Sequence, residues 1–204
     1  MTQTQAHERH MDARDRIHTP DGRPYTFLDL AVAAPEALEE VMRFGWMPDA
    51  RRLAGSEFRG YNALDLTAVI GIRRFRKGFE ASPAPAGPRD ALRGYDVQVV
   101  QGGIGAPWDP VLRRGAPIRH SFHGVRFVDP SDRDNLYPNA AFLDYGAGGN
   151  PLWDPSRTLR DYLVQVYPDD PDLLLGRTYV ALGPARIPVS YFVLERLQGP
   201  DRIP

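Results

Sequence analysis

The segment His120-Ser-Phe-His123 holds the side chains best suited to acid–base or metal chemistry. Residues three apart on a strand point to opposite faces, so the two rings cannot share a metal unless a bulge intervenes near Gly124. We therefore predict no metal site. Either histidine could still act alone as a proton shuttle, because histidine titrates near neutral pH, with Asp144 or Asp161 to orient it.

Asp161 is the most unusual carboxylate of the chain, because it lies inside a run of apolar residues. A carboxylate on a buried face needs a charged or hydrogen-bonding partner, and Arg59, Lys77 and Arg177 are candidates. This pattern favours a structural ion pair over a catalytic acid, with His120, His123 and Asp161 as the candidate catalytic groups if there is catalysis.

The glycine-rich stretches 102–105 and 146–150 do not form a phosphate-binding site in this reading. A phosphate loop needs Gly-Lys followed by Ser or Thr at the start of a helix, and neither stretch has it. The chain also lacks a Gly-x-Ser-x-Gly elbow and a His-Glu-x-x-His motif. We expect no cofactor, and a binding protein is favoured over an enzyme.

A set of aromatic rings and polar side chains recurs along the predicted strands, and such a set can line a small-molecule pocket or fill a core. The candidate ligand-binding residues are Tyr61, Asn62, Phe75, Lys77, Tyr95, Gln101, Phe122, Phe142, Asp144, Tyr162, Tyr179 and Tyr191. The basic run Arg73, Arg74, Arg76 and Lys77 is expected to be solvated on an edge strand.

Composition narrows the possible partners. The chain has 204 residues, a net charge of −1 and 0 cysteines, with 42% apolar and 25% charged residues. A near-neutral charge gives no electrostatic reason to bind nucleic acid or an anionic membrane, and disulfides are excluded. No apolar run is long enough for a membrane span, so we expect a single cytoplasmic domain.

The elements that must position these side chains are mostly strands, since 20 prolines and 19 glycines divide the chain into short segments. The period predicts a helix over 35–45, and residues 63–70 form either a second, two-turn helix or a bulged continuation of the first strand. Eight antiparallel strands are predicted over 55–62, 72–80, 94–101, 118–128, 139–145, 158–167, 172–182 and 189–197. We expect a mobile tail over 1–20, a helical segment over 21–54 and a β domain over 55–204.

The last three strands are apolar on both alternating faces, so each face must be covered. The chain has too little helical sequence to cover both faces of an open sheet. Closure into an up-and-down barrel solves this, with one face in the lumen. The outer face would then receive the N-terminal helix or a second subunit, which leaves a homo-oligomer open.

The segment 55–197 resembles the lipocalin-like, or calycin, barrels. Gly55 to Phe58 is similar to their Gly-x-Trp motif, and Arg196 is similar to the arginine that covers that ring. Here phenylalanine replaces tryptophan, the spacing is one residue longer, and Arg196 falls inside the last strand. The resemblance implies that a hydrophobic or aromatic small molecule binds in the barrel. An isomerase or cyclase using a lumen His or Asp, and a non-catalytic oligomerising subunit, are the alternatives.

Overall fold

The computed structural model describes residues 17–63, 72–82 and 92–197. Helices are confined to the N-terminal part of that range. They are α1 (Phe27–Val32), α2 (Pro35–Phe44) and α3 (Ala50–Leu53), and a short 3-10 turn covers Pro155–Thr158. The predicted helix over 35–45 is confirmed as α2, whereas α1 and α3 were not predicted. The second helix or strand continuation expected over 63–70 lies, apart from its first residue, outside the described residues.

Strands make up most of the remaining described residues. They are β1 (Ser56–Asn62), β2 (Arg74–Ala81), β3 (Leu92–Gln98), β4 (Leu112–Arg113), β5 (Ala116–Pro117), β6 (Arg119–Phe127), β7 (Ala141–Asp144), β8 (Leu159–Tyr167), β9 (Asp170–Leu182) and β10 (Ala185–Arg196). The predicted strands all have counterparts here, with ends that differ by a few residues. The small β4–β5 hairpin lies between the third and fourth predicted strands.

The strands form a closed antiparallel barrel in the order β1-β10-β9-β8-β7-β6-β3-β2. Apart from the β4–β5 hairpin, which forms a separate sheet, each strand pairs with its neighbours along the chain. The barrel closes where β1 meets β10, with Phe58 opposite Arg196. The predicted eight-stranded up-and-down barrel is therefore confirmed.

Helices α1 and α2 cover the outer apolar face of the barrel. Thr26 and Asp29 form a capping box at the start of α1, and Pro35 occupies the first turn of α2, where a missing N–H costs nothing. Leu38 and Met42 of α2 are completely buried in an outer core that also contains Val164 and Val193 of the barrel. The chain's own helices therefore cover the apolar outer face of the barrel.

Helix α3 lies across one end of the barrel, directly before β1. Its Leu53 is buried in the inner core with Phe58 and Phe79, whose rings meet edge to face at 5.8 Å. Leu174 and Leu194 are fully buried in the same cluster. This end of the lumen is therefore filled with side chains.

The Arg196 guanidinium lies over the Phe58 ring, 4.7 Å from its centre. It also hydrogen-bonds the carbonyl oxygens of Arg52 and Pro171. A cation over an aromatic face gains from the ring's quadrupole and shields the apolar ring from water. Arg196 therefore seals the closed end of the barrel at the seam between β1 and β10.

The predicted tail over 1–20 falls mostly outside the described residues. Ile17, near its end, is 1% exposed and joins the outer core, and the Thr19 side chain is also buried. The described part of that stretch is packed onto the barrel. No helix in the described ranges is long and apolar enough to cross a membrane.

Candidate functional site

The other half of the lumen holds a cavity of about 180 Å³ that opens at the end of the barrel away from α3. Its lining residues come from all eight barrel strands or the segments next to them. They are Asn62, Ile72, Phe75, Lys77, Asp96, His120, Ser121, Tyr145, Leu159, Asp161, Thr178, Val189, Ser190 and Phe192. Most of its exposed wall is apolar. The barrel is thus plugged at one end and hollow at the other.

Two aromatic rings form the apolar wall because glycines on neighbouring strands make room for them. The Phe192 ring lies against Gly176, where an added Cβ would come within 2.0 Å of it. The Phe75 ring lies in the same way against Gly60, and the two rings meet edge to face at 5.9 Å. A glycine inside a strand commonly marks such a close approach.

Lys77 is the centre of a polar cluster next to these rings, with Nζ 5.6 Å from the centre of the Phe75 ring and 5.5 Å from that of Phe192. Its side chain is 1% exposed, and Nζ donates to Asp96 Oδ1 at 2.6 Å and to the Tyr145 hydroxyl at 2.8 Å. The Tyr145 hydroxyl in turn donates to Asp161 Oδ2 at 2.6 Å. These contacts offset the cost of burying a polar group beside apolar rings.

Asp161 lies inside the barrel on β8, with Lys77 Nζ 3.9 Å from its Oδ2. Of the three predicted partners it therefore has Lys77, while Arg59 pairs with Glu195 and Arg177 with Glu39. Its Oδ1 is buried without a hydrogen-bond partner in the described structure.

Burial raises the pKa of Asp161 to about 6, although Lys77, Tyr145 and Thr178 act in the opposite direction. The Thr178 hydroxyl lies opposite Asp161 in the ladder and favours the charged form without completing a hydrogen bond to Oδ1. At neutral pH the carboxyl group is thus mostly deprotonated, with a pKa within about one unit of the pH, as suits a proton-transfer group.

His120 and His123 both point to the lumen side, contrary to the expectation for residues three apart on a strand. Ser121 has a positive φ of 50° and forms a bulge in β6, so His120 lies opposite Asp96 and His123 opposite Gly94. The bulge lies at Ser121 and not at Gly124. It inserts one residue, which returns the second histidine to the face of the first.

The two histidines nevertheless have different surroundings. His120 lines the cavity, and its Nδ1 hydrogen-bonds the Ser121 hydroxyl at 2.8 Å. His123 is completely buried beside Tyr145, with ring centres 4.7 Å apart. Its Nδ1 donates to the Ser121 carbonyl oxygen at 3.0 Å, so Nε2 carries the lone pair and lies unpartnered within the described residues.

Burial, and next the positive charge of Lys77, hold the pKa of His123 well below its ordinary value. His123 is therefore a neutral packing residue of the inner core. No hydrogen bond between a histidine and a carboxylate is found among the described residues of the cavity. Groups of three or more potential ligands that could hold a metal are likewise absent from the described ranges.

The cavity brings together three of the twelve predicted ligand-binding residues, namely Asn62, Phe75 and Lys77, together with the candidate acids and bases His120 and Asp161. The other nine do not line it. Gln101 follows β3 and hydrogen-bonds the backbone of Arg73 and Arg74. The remaining eight face away from the lumen: Tyr61, Tyr95, Phe122, Phe142, Asp144, Tyr162, Tyr179 and Tyr191.

Tyr137, Tyr179 and Tyr191 belong to the contact between the barrel and α2. Glu39 accepts hydrogen bonds from the hydroxyls of Tyr137 and Tyr191, each at 2.8 Å, and pairs with Arg177. Burial raises the pKa of Glu39, but hydrogen bonds from Arg43, Tyr191 and Tyr137 outweigh this and leave it below its ordinary value. These tyrosines fix a helix and do not contribute to the cavity.

Arg74 and Arg76 are buried, so the expectation of a solvated basic edge was wrong. Arg74 donates to the carbonyl oxygens of Ala106 and Pro107 and lies 4.0 Å from the centre of the Trp108 ring. Arg76 donates to the Trp108 carbonyl oxygen at 2.6 Å. Both arginines point outward and hold the loop between β3 and β4 against the barrel.

Sequence reasoning missed Asp96, Tyr145, Thr178 and Ser190 as cavity residues. For Asp96 and Tyr145 the signal lay in the register, because Asp96 faces Lys77 across β2 and β3. That register follows once the alternating inward positions of neighbouring strands are aligned. The bulge at Ser121 could not be read in this way, since serine seldom adopts a positive φ.

No protein-family model matches this chain, and no curated protein matches it either. The function must therefore be argued from the cavity itself.

Proposed function

We propose that this protein binds a small molecule in the open half of its barrel. The observation that carries the proposal is the cavity of about 180 Å³, which is lined by the rings of Phe75 and Phe192 and by the cluster around Lys77. Apolar walls with a few convergent polar groups are typical of ligand sites.

The size of the cavity limits the ligand. Pockets for drug-sized ligands measure roughly 300–1,000 Å³, whereas an apolar cavity of about 150 Å³ accommodates benzene. A ligand that lies wholly inside this barrel is therefore no larger than a single ring with small substituents. This is a narrower proposal than a general hydrophobic or aromatic ligand.

The lipocalin-like character of the barrel supports the proposal. The up-and-down strand order and the contact of Arg196 with the Phe58 ring agree with the resemblance drawn from the sequence. The alternative of an oligomerising subunit receives less support, because α1 and α2 cover the apolar outer face that would have served as its interface.

Binding of toluene, followed by ligand-observed NMR, tests the proposal. Thr178 lines the cavity, and Thr178→Phe should fill it and abolish binding. Ala181→Phe adds the same ring further along β9 on the opposite face and should bind toluene as the wild type does. Absence of toluene binding to the wild type, or equal binding by both variants, would refute the proposal.

A second candidate function is acid–base catalysis, an isomerase or cyclase reaction, and the state of Asp161 favours it. A buried carboxyl group with a pKa of about 6 in the wall of a cavity is suited to move a proton at carbon. In this case the wild type, dissolved in D₂O, should accelerate deuterium uptake next to the carbonyl of cyclohexanone. Asp161→Asn should lower that rate to the buffer level, and an unchanged rate would exclude this role.

A further inference from the structure

The cavity wall holds more acidic than basic side chains. Among the described lining residues there are two carboxylates, Asp96 and Asp161, and one lysine, Lys77. Lys77 already donates to Asp96 at 2.6 Å, so its charge is largely compensated. An anionic ligand would therefore add negative charge to a poorly solvated wall that already holds an excess carboxylate.

Asp161 also has an unused hydrogen-bonding position. Its side chain is 3% exposed, Oδ2 accepts from Tyr145, and Oδ1 lacks a partner among the described residues. A buried acceptor without a hydrogen-bond partner destabilises the structure. A ligand donor that reaches this acceptor therefore gains more binding free energy than a donor that only exchanges a hydrogen bond to water for one to protein. Asp161 is one of the residues that line the cavity, so a ligand there lies next to this carboxylate.

The neighbouring side chains do not complete this hydrogen bond in the structure. Tyr145 gives its proton to Oδ2, and the Thr178 hydroxyl, which lies opposite Asp161 in the ladder, makes no hydrogen bond to Oδ1. The Nε2 of His123 is a lone pair. A donor on a ligand in the cavity would fill this position.

We propose that the ligand is a neutral or cationic hydrogen-bond donor, a hydroxyl or amino compound built on one small ring, which donates to Asp161, and that carboxylates are excluded. This rests on the proposed binding function. The ring occupies the space beside Phe75 and Phe192, and the O–H or N–H meets the Asp161 carboxylate in the same cavity.

A benzyl series of matched size tests this inference, with dissociation constants measured by ligand-observed NMR at pH 7.5. Toluene reports on the cavity alone, and benzyl alcohol, benzylamine and benzoate add a donor, a cationic donor and an anion. We expect benzyl alcohol and benzylamine to bind about tenfold tighter than toluene, as for a hydrogen bond to a charged group. Benzoate should bind more weakly than toluene.

Two matched variants locate the effect. Asp161→Asn should remove the advantage of benzylamine and leave toluene binding within about twofold. Asp132→Asn makes the same change on the loop after β6, where Asp132 pairs with Arg126 near the closed end, and should change none of the affinities.

Lowering the pH to 5 gives an independent test on the wild type, because it protonates Asp161. Lys77, Asp96, Tyr145, His120 and His123 face this carboxyl group from β2, β3, β6 and the end of β7, so Asp161→Asn is the reference for their own titration. Benzylamine should lose about tenfold in affinity relative to toluene in the wild type only.

The outcomes separate the two proposals. If toluene does not bind, the proposed function fails. If toluene binds but benzoate binds as tightly as benzylamine, the cavity stands and the ligand class is wrong. If the preference for benzylamine survives in Asp161→Asn or, where that variant does not fold, persists in the wild type at pH 5, the assignment to Asp161 is overturned.

Discussion

At the scale of single residues, the buried carboxyl group of Asp161 makes the stability of the fold depend on pH. Its folded pKa of about 6 lies above the ordinary value of 3.8, so the folded protein holds this proton more strongly than the unfolded chain does. The stabilisation is complete below pH 3.8 and is lost as the pH rises through 6. A shift of this size corresponds to about 3 kcal/mol at most.

We predict that Asp161→Asn is more stable than the wild type at pH 7.5, by about 1–3 kcal/mol. The amide removes the buried charge and still accepts the Tyr145 hydroxyl. Urea unfolding at pH 5 and 7.5 measures this, and the advantage should shrink at the lower pH. A variant less stable than the wild type at pH 7.5 would contradict the prediction.

The pKa of His123 is shifted in the opposite direction to that of Asp161, so His123 serves as the control for the pH dependence of stability. Its folded pKa lies well below 6.5, so the unfolded chain takes up a proton first, and stability falls as the pH drops below 6.5. One proton gives a slope of about 1.4 kcal/mol per pH unit. His123→Phe should lose this slope while Asp161→Asn retains it.

The residues of the site were only partly predictable, for a physical reason. Asp161 stands out because a carboxylate within an apolar run is costly wherever the run is buried. Asp96 is an ordinary surface residue by sequence, and it becomes part of the site only because the register sets it opposite Lys77. Tyr162, Tyr179 and Tyr191 were equally good candidates for the ligand site, because the sequence does not show which side of each strand faces the lumen.

At the scale of elements, the strands were predictable and the short helices were not. Alternation identifies β1, and runs of apolar residues identify β8 and β9. In contrast, α1 and α3 have six and four residues, too few for a helical period to register. The bulge in β6 was also missed. It matters because it brings His120 to the lumen.

We predict that Glu39→Gln weakens the attachment of α2 and costs about 1–2 kcal/mol of unfolding free energy. Glu39 accepts from Tyr137 and Tyr191 and pairs with Arg177, and a neutral amide is a weaker acceptor for all of them. Glu40→Gln on the exposed side of the same helix is the matched control in urea titrations. Equal losses in the two variants would show that the cluster does not fasten the helix.

At the scale of the whole molecule, the barrel and its N-terminal cover share one outer core. Leu30 and Leu38 are completely buried against it, and so are Leu175 and Val193 from the barrel. The burial of both faces of the last three strands, read from the sequence, required such a cover. From the sequence alone, either the N-terminal helix or a second subunit could have supplied this cover.

We predict that a chain beginning at Pro48, which lacks α1 and α2, exposes this apolar face. Burial of apolar surface contributes about 25 cal/mol per Å². Exposing this face therefore destabilises the barrel and makes it prone to aggregation. The truncated protein should bind the dye ANS strongly and aggregate at concentrations where the full chain stays monodisperse. A truncated chain as stable and as dye-free as the full one would contradict this.

The seam between β1 and β10 also determines when the barrel can close during synthesis. Phe58 pairs with Arg196, so the barrel cannot close until residue 196 has left the ribosome. Synthesis proceeds at about 5–20 residues per second, and for seconds β1 and the newest strand are both free edges. Contacts so distant in sequence also slow folding. Expression at low temperature or with a chaperone should therefore raise the yield more than any stabilising substitution in the core.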